Sequence, residues 1–391
     1  MTATAQEPPH PARPKLRIAM VAPPWYELPP SGYGGLEVIV SALVDGLVDL
    51  GHEVTLFGAG TRTRTRARFV STDPQLQYPR LGELMPAVLH TARVNRLLAA
   101  GDFDVVHDHT TDGPMTAPVR RTPTVVTVHG PVDGEFGDYF EALGDTVRLV
   151  AISKAQRELR PRLAWAGTVH NALPDAALDG PPDTSETGPD RPVLWLARFT
   201  ADKGPDLAIE ACRAAGLPLV LAGKCNEKIE RRYLAEVIEP RLHDGVRLVV
   251  NAERAETLGL LAQARCLIMP IRWNEPFGMV MIEAMAAGVP VVGLRRGAVP
   301  ELVRHGVTGW LADDPAELPD LLHRAGELDP QDCVGHVRAK FSASLMAQRY
   351  ERIYRDALRK PVLRRRITDA RPSPVPAPAL RMPDRRLRQV R

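Results

Sequence analysis

Short apolar runs alternate with helical periodicity through most of the chain. Leu16–Val21 is mostly apolar and stops at Pro23-Pro24, as a buried strand does. Leu36, Val40, Leu43, Leu47 and Leu50 then recur at helical spacing, with Gly51 placed to end that helix. Val54–Phe57, Val105–His107, Thr124–Val128, Val147–Ile152 and Thr168–Val169 read as further strands. Strands this short and apolar, separated by helices, predict a parallel sheet covered on both faces. From Leu173 to Pro192 the apolar period gives way to Pro, Gly, Asp, Thr and Ser, which predicts a linker over 176–192. The alternation restarts with strands at Val193–Leu196, Pro218–Ala222, Val246–Val250, Cys266–Met269 and Val289–Val292. Asp206–Ala215, Ala255–Ala264 and Met279–Ala287 read as the helices between them. The fold class is therefore α/β: two Rossmann-like domains, 16–175 and 193–345, facing each other across a cleft at their strand carboxyl ends. Gln348 to Leu358, with Tyr350, Ile353, Tyr354 and Leu358 on one face, predicts a closing helix within 346–360.

Composition narrows the class. At 391 residues the length favours two or three domains, and 44% hydrophobic with 25% charged residues describes an ordinary globular enzyme. Its formal charge of +3 is local: residues 361–391 hold nine Arg and two Asp, leaving a net negative remainder. That distribution argues against a nucleic-acid binder, while the Arg-rich tail offers a weak peripheral contact to anionic membranes. Residues 1–15 and 361–391 read as disordered. Cys212, Cys225, Cys266 and Cys333 show neither disulfide-framework nor zinc spacing. No signal-peptide or membrane-spanning run occurs, so the expected address is the cytoplasm.

The chemistry concentrates in Asn274–Val292. Pro276 keeps Glu275 out of helical geometry, placing its carboxylate in the turn ahead of a helix. Gly278 lets a ligand approach backbone N–H groups at that helix start, a natural phosphate site. Glu283 lies five residues on, roughly 7.5 Å along the axis, about the offset from a diphosphate to its ribose. Its neighbours Met281, Ile282, Ala284 and Met285 are apolar, and ribose hydroxyls could supply the donors a buried carboxylate needs. Arg198 and Lys203, five apart just after a strand, can stabilise a diphosphate leaving group without a metal.

Glu275–Val292 closely resembles the nucleotide-sugar motif of retaining GT-B glycosyltransferases, specifically glycosyltransferase family 4, and the likeness extends over roughly 16–358. The resemblance implies that Glu275 contacts the donor sugar and Glu283 the ribose. It also implies that amides around Phe277, Gly278 and Met279 face the sugar and diphosphate, with Arg198 and Lys203 on the phosphates. Gly34-Gly35 resembles the family's glycine loop in the first domain, and His129, ending Thr124–Val128, its histidine beside the transferred sugar. Pro300-Glu301-Leu302 matches a downstream turn, but Arg296 stands where the family commonly has a glycine before Gly297. Arg295 and Arg296 are given no role, and the roles of Tyr33 and Glu37, acceptor-side or structural, stay open. The implied activity is transfer of a sugar from a nucleotide-diphosphate donor, UDP by family frequency, to an unidentified acceptor, with retention and with no metal or cofactor.

Other readings fit less of the chain. An epimerase or glycosyl phosphorylase would share the fold. A dinucleotide oxidoreductase would need Gly-x-Gly-x-x-Gly after the first strand, and Gly32, Gly34 and Gly35 are wrongly spaced. A non-catalytic nucleotide-sugar or membrane-bound partner is a further alternative. Asp102-Phe103-Asp104 spells a metal motif, but it precedes its strand and so lies opposite the cleft, as a loop or cap.

Overall fold

A computed structural model describes residues 14–30, 34–178 and 191–359. The expected disorder of 1–15 and 361–391, the middle of the 176–192 linker and the open role of Tyr33 fall wholly or largely outside the described residues.

The first half runs β1 (Arg17–Val21), α1 (Gly35–Asp49), β2 (Glu53–Ala59), β3 (Arg68–Asp73), α2 (Leu84–Ala100), β4 (Val105–Asp108), β5 (Thr124–Val128), α3 (Gly134–Leu143), β6 (Arg148–Ala151), α4 (Lys154–Leu159) and β7 (Trp165–Thr168). Its seven strands pair in parallel in the order β3-β2-β1-β4-β5-β6-β7. The second half runs β8 (Val193–Arg198), α5 (Pro205–Ala215), β9 (Leu219–Lys224), α6 (Lys228–Tyr233), β10 (Val246–Val250), α7 (Arg254–Gln263), β11 (Cys266–Met269), α8 (Met279–Ala286), β12 (Val291–Leu294), α9 (Val299–Leu302), β13 (Gly309–Ala312), α10 (Leu318–Arg324), α11 (Pro330–Lys340) and α12 (Ala343–Arg359). Its six strands order as β10-β9-β8-β11-β12-β13, again all parallel.

Strands β4, β5, β11, β12 and β13 are buried throughout, and β5, β11 and β12 read accordingly as near-continuous apolar runs. Order reverses at β1/β4 and at β8/β11, the places where such sheets bind ligands beyond their carboxyl ends. Helix α5 shows the local signals plainly, with Pro205 opening it and Gly216 (φ 66°) closing it in the left-handed region.

The sequence pattern assigned no strand to β3 or β13 and no helix to α2, α3, α4, α6, α9, α10 or α11. β3 is a half-buried edge strand, and α2 buries only Pro86, His90, Val94 and Leu98. The closing helix is longer than expected, beginning at Ala343 instead of within 346–360. It also crosses back to the first half. Met346, Ala347, Tyr350, Ile353, Tyr354 and Ala357 share one core with β1 and α1. Gly46 allows the close crossing, since a Cβ there would come within 2.9 Å of the Ala347 Cβ. The two chain crossings between halves are hydrogen-bonded to each other: Leu173 N–H donates to Phe341 O at 2.9 Å, and Ala343 N–H donates to Leu173 O at 3.0 Å.

Candidate active site

The strand ends of both sheets converge on one cavity of about 500 Å³. Gly34, Gly35, His129, Arg198, Lys203, Glu275, Phe277, Gly278, Met279 and Glu283 all line it. Residues as far apart in sequence as Gly34 and Glu283 are brought together because each follows, or nearly follows, a central strand. Gly34 and Gly35 open α1 on the first sheet, and His129 directly follows β5. Arg198 ends β8, and the Glu275 turn bridges β11 and α8.

Charge is paired inside the cavity. Lys203 Nζ lies 2.5 Å from Glu275 Oε2 and 4.5 Å from the centre of the Trp273 ring. Trp273 Nε1–H donates to the same Glu275 oxygen at 3.1 Å. The Lys203 and Glu275 side chains are 13% and 9% exposed, so water screens this pair little. Arg254 Nη1 donates to Glu283 Oε1 at 2.7 Å. Arg198, more open, stands 3.7 Å from Glu230 Oε1.

Backbone geometry shapes the anion-facing part. Gly278 adopts φ 86° at the start of α8, a conformation that costs any other residue, and no side chain caps the helix there. The first amides of α8 are thus free of a side-chain acceptor, suited to an oxyanion. Gly297 (φ 52°) packs so tightly on the Glu275 backbone that a Cβ would overlap both its N and O. Ala298 N–H donates to Glu275 O at 2.9 Å, fixing that turn. Position 297 therefore requires glycine. Neither Arg295 nor Arg296 lines the cavity; Arg295 faces Asp313 and His305.

Other sequence candidates fall around the site. Glu37 is buried behind Gly34, and burial pushes its carboxyl up to about 7, against the opposing pull of its own backbone N–H. Glu301 acts between the halves: its carboxylate accepts from Lys154 N–H at 2.9 Å and Ala155 N–H at 2.6 Å, at the start of α4, and pairs with His170 Nε2 at 3.1 Å. Burial alone would raise its pKa, but the His170 bond and the two amides hold it below the usual carboxylate range. Asp102 and Asp104 both engage Arg17 at the amino end of β1, accounting for the Asp-x-Asp text as a strand-end clamp. Among the described residues no group of three His, Cys, Asp or Glu is arranged to hold a metal ion.

Sequence reasoning missed Trp273 and Arg254. Trp273 sits one residue before the motif and could have been read with it. Arg254 lies 29 residues before Glu283, and only the β10–α7 turn brings it over.

Comparison with known proteins bears on the family and the fold. Residues 33–173 match the family model Glycosyltransferase Family 4, and residues 182–327 match Glycosyl transferases group 1. The phosphatidyl-myo-inositol mannosyltransferase of Mycobacterium leprae is 26% identical over 78% of this chain and 86% of its own length. The amylovoran biosynthesis glycosyltransferase AmsK of Erwinia amylovora is 34% identical over 38% of this chain, a match spanning only 39% of AmsK. Among solved structures, a glycosyltransferase involved in avilamycin A biosynthesis superposes with TM-score 0.66 at 24% identity, over 88% of this chain and 98% of that one. The Anabaena protein HepE, in complex with UDP and glucose, gives TM-score 0.64 at 20% identity, over 86% and 98%.

Proposed function

The chain belongs to the GT-B glycosyltransferases, joining a family 4 domain to a group 1 domain, and from that premise we propose that it moves a sugar from a UDP-sugar to an acceptor, with retention and without a metal. In this reading residues 16–175 hold the acceptor and 193–345 the donor. One observation carries it: four cations (Arg198, Lys203, Lys224 and Arg254), two carboxylates and an uncapped helix start all line a single cavity between the sheets. A diphosphate spans the α8 amides and the Arg198–Lys203 pair, with Glu275 toward the sugar and Glu283 toward the ribose. Arg254, already bonded to one Glu283 oxygen, leaves the other free for ribose hydroxyls. As the sugar–phosphate bond breaks, charge grows on the leaving phosphate, where the cations act most strongly. HepE's complex with UDP and glucose supports the choice of uridine. Four free, buried cysteines, and the lack among described residues of a helix able to cross a membrane, suit a cytoplasmic address.

Calorimetry with UDP tests the donor assignment. Glu283→Ala should weaken UDP binding by about 10- to 100-fold, the worth of hydrogen bonds to a charged acceptor. Unchanged affinity would remove the ribose assignment. Transfer should also persist in EDTA; activity lost there and restored by manganese would overturn the metal-free reading.

A further inference from the structure

Behind His129 the buried hydrogen bonds run in one direction. His109, just after β4, places Nε2 3.1 Å from Met20 Sδ of β1 and Nδ1 2.8 Å from His129 Nε2. A thioether sulfur has lone pairs and no hydrogen, so it can only accept. Burial keeps both imidazoles neutral, with His129 pushed down to about 4 and His109 far below its ordinary value. A neutral imidazole carries one N–H. His109 therefore points that hydrogen at Met20, and its Nδ1 is a bare acceptor. His129 must then donate from Nε2. Its own Nδ1 is left unprotonated, and among the described residues nothing bonds to that atom.

We propose that Met20 and His109 are positioning residues that lock His129 as the Nε2–H tautomer, so that His129 offers the cavity a lone pair and no proton. Such an atom accepts from a hydroxyl and repels an anionic oxygen. The ligand group it meets is thus a neutral sugar hydroxyl, and a uronate carboxylate at the same place is disfavoured. This inference rests on the proposed sugar transfer only for what meets His129; the tautomer itself does not.

Nitrogen NMR of the full chain with 15N-labelled histidine, near neutral pH, reads the tautomer directly. His129, assigned by the loss of its signals in His129→Gln, should show an unprotonated Nδ1 and a protonated Nε2. In His109→Leu the two nitrogens should average toward a mixture. His109→Asn, whose carbonyl can replace Nδ1 as acceptor, should restore the single form. The affinity ratio of UDP-glucose over UDP-glucuronate should fall about tenfold in His109→Leu and recover in His109→Asn, as for one lost hydrogen-bond preference. A protonated Nδ1 in the unaltered chain, or an affinity ratio equal in all three proteins, would overturn the proposal. Failure of the unaltered chain to bind UDP would instead sink the proposed function, leaving the NMR result to stand by itself.

Discussion

Replacing Lys203 with alanine is expected to lower turnover by about 10²- to 10³-fold, the scale of losing one preorganised charge partner in a transition state. Nucleotide affinity should change far less. In the free protein the Lys203 ammonium rests between the Glu275 carboxylate and the Trp273 ring. A bound diphosphate competes for that ammonium, so part of the ground-state attraction replaces an existing one. The gain comes later, when the leaving phosphate takes on charge that Glu275 cannot match. The substitution also leaves the buried Glu275 carboxylate with Trp273 Nε1–H as its one remaining side-chain donor among the described residues, a further cost in order at the sugar side. Steady-state kinetics separate the effects: kcat should fall and KM stay within a few-fold, with Lys203→Arg recovering part of kcat. Wild-type turnover in Lys203→Ala would detach this residue from the chemistry.

Acidification should destabilise the fold well before ordinary carboxylates titrate. Burial pushes His90 and His129 down to about 4, and His107 and His109 far below their ordinary value. Below the unfolded histidine value near 6.5, the unfolded chain takes up protons that the folded chain refuses, so stability falls as pH drops. Two groups oppose this. Burial raises Glu37 to about 7 and Asp108 to about 6, so their folded forms gain protons first and add stability in the same window. Four imidazoles outweigh two carboxyls. A shift of about two units is worth about 3 kcal/mol when fully expressed; the surplus of about 4 kcal/mol reached by pH 5, set against the unfolding entropy of a chain this long, predicts a Tm about 5 °C lower at pH 5 than at pH 7. The carboxylates held low by ion pairs, such as Asp49, Asp104 and Asp206, lose their contribution only at more acid pH. Scanning fluorimetry across that interval decides the matter, and a Tm that is flat or rises toward pH 5 would contradict it.

Much of this architecture was legible because buried parallel strands cannot hide: β5, with five apolar or threonine residues in a row, looks the same in sequence and in space. The site was legible where function bends the chain locally, as at Pro276 and Gly278. It was not legible where geometry is made by distant segments. Arg254 reaches Glu283 only through the sheet order, and the Met20–His109–His129 line joins three strand ends with no common motif. Edge elements escaped for a different reason. β3 and α2 are only partly covered, so their polar and apolar residues follow no strict period.

Helix α12 makes the two ends of the chain mutually dependent. The body that begins at β1 is sealed by Met346, Tyr350 and Tyr354, which leave the ribosome more than 300 residues later. During synthesis the first sheet therefore waits with one flank open while the entire second half emerges. A fragment cut after β7 would carry that exposed flank for good, so the acceptor side cannot be studied as an isolated piece unless the terminal helix is supplied with it.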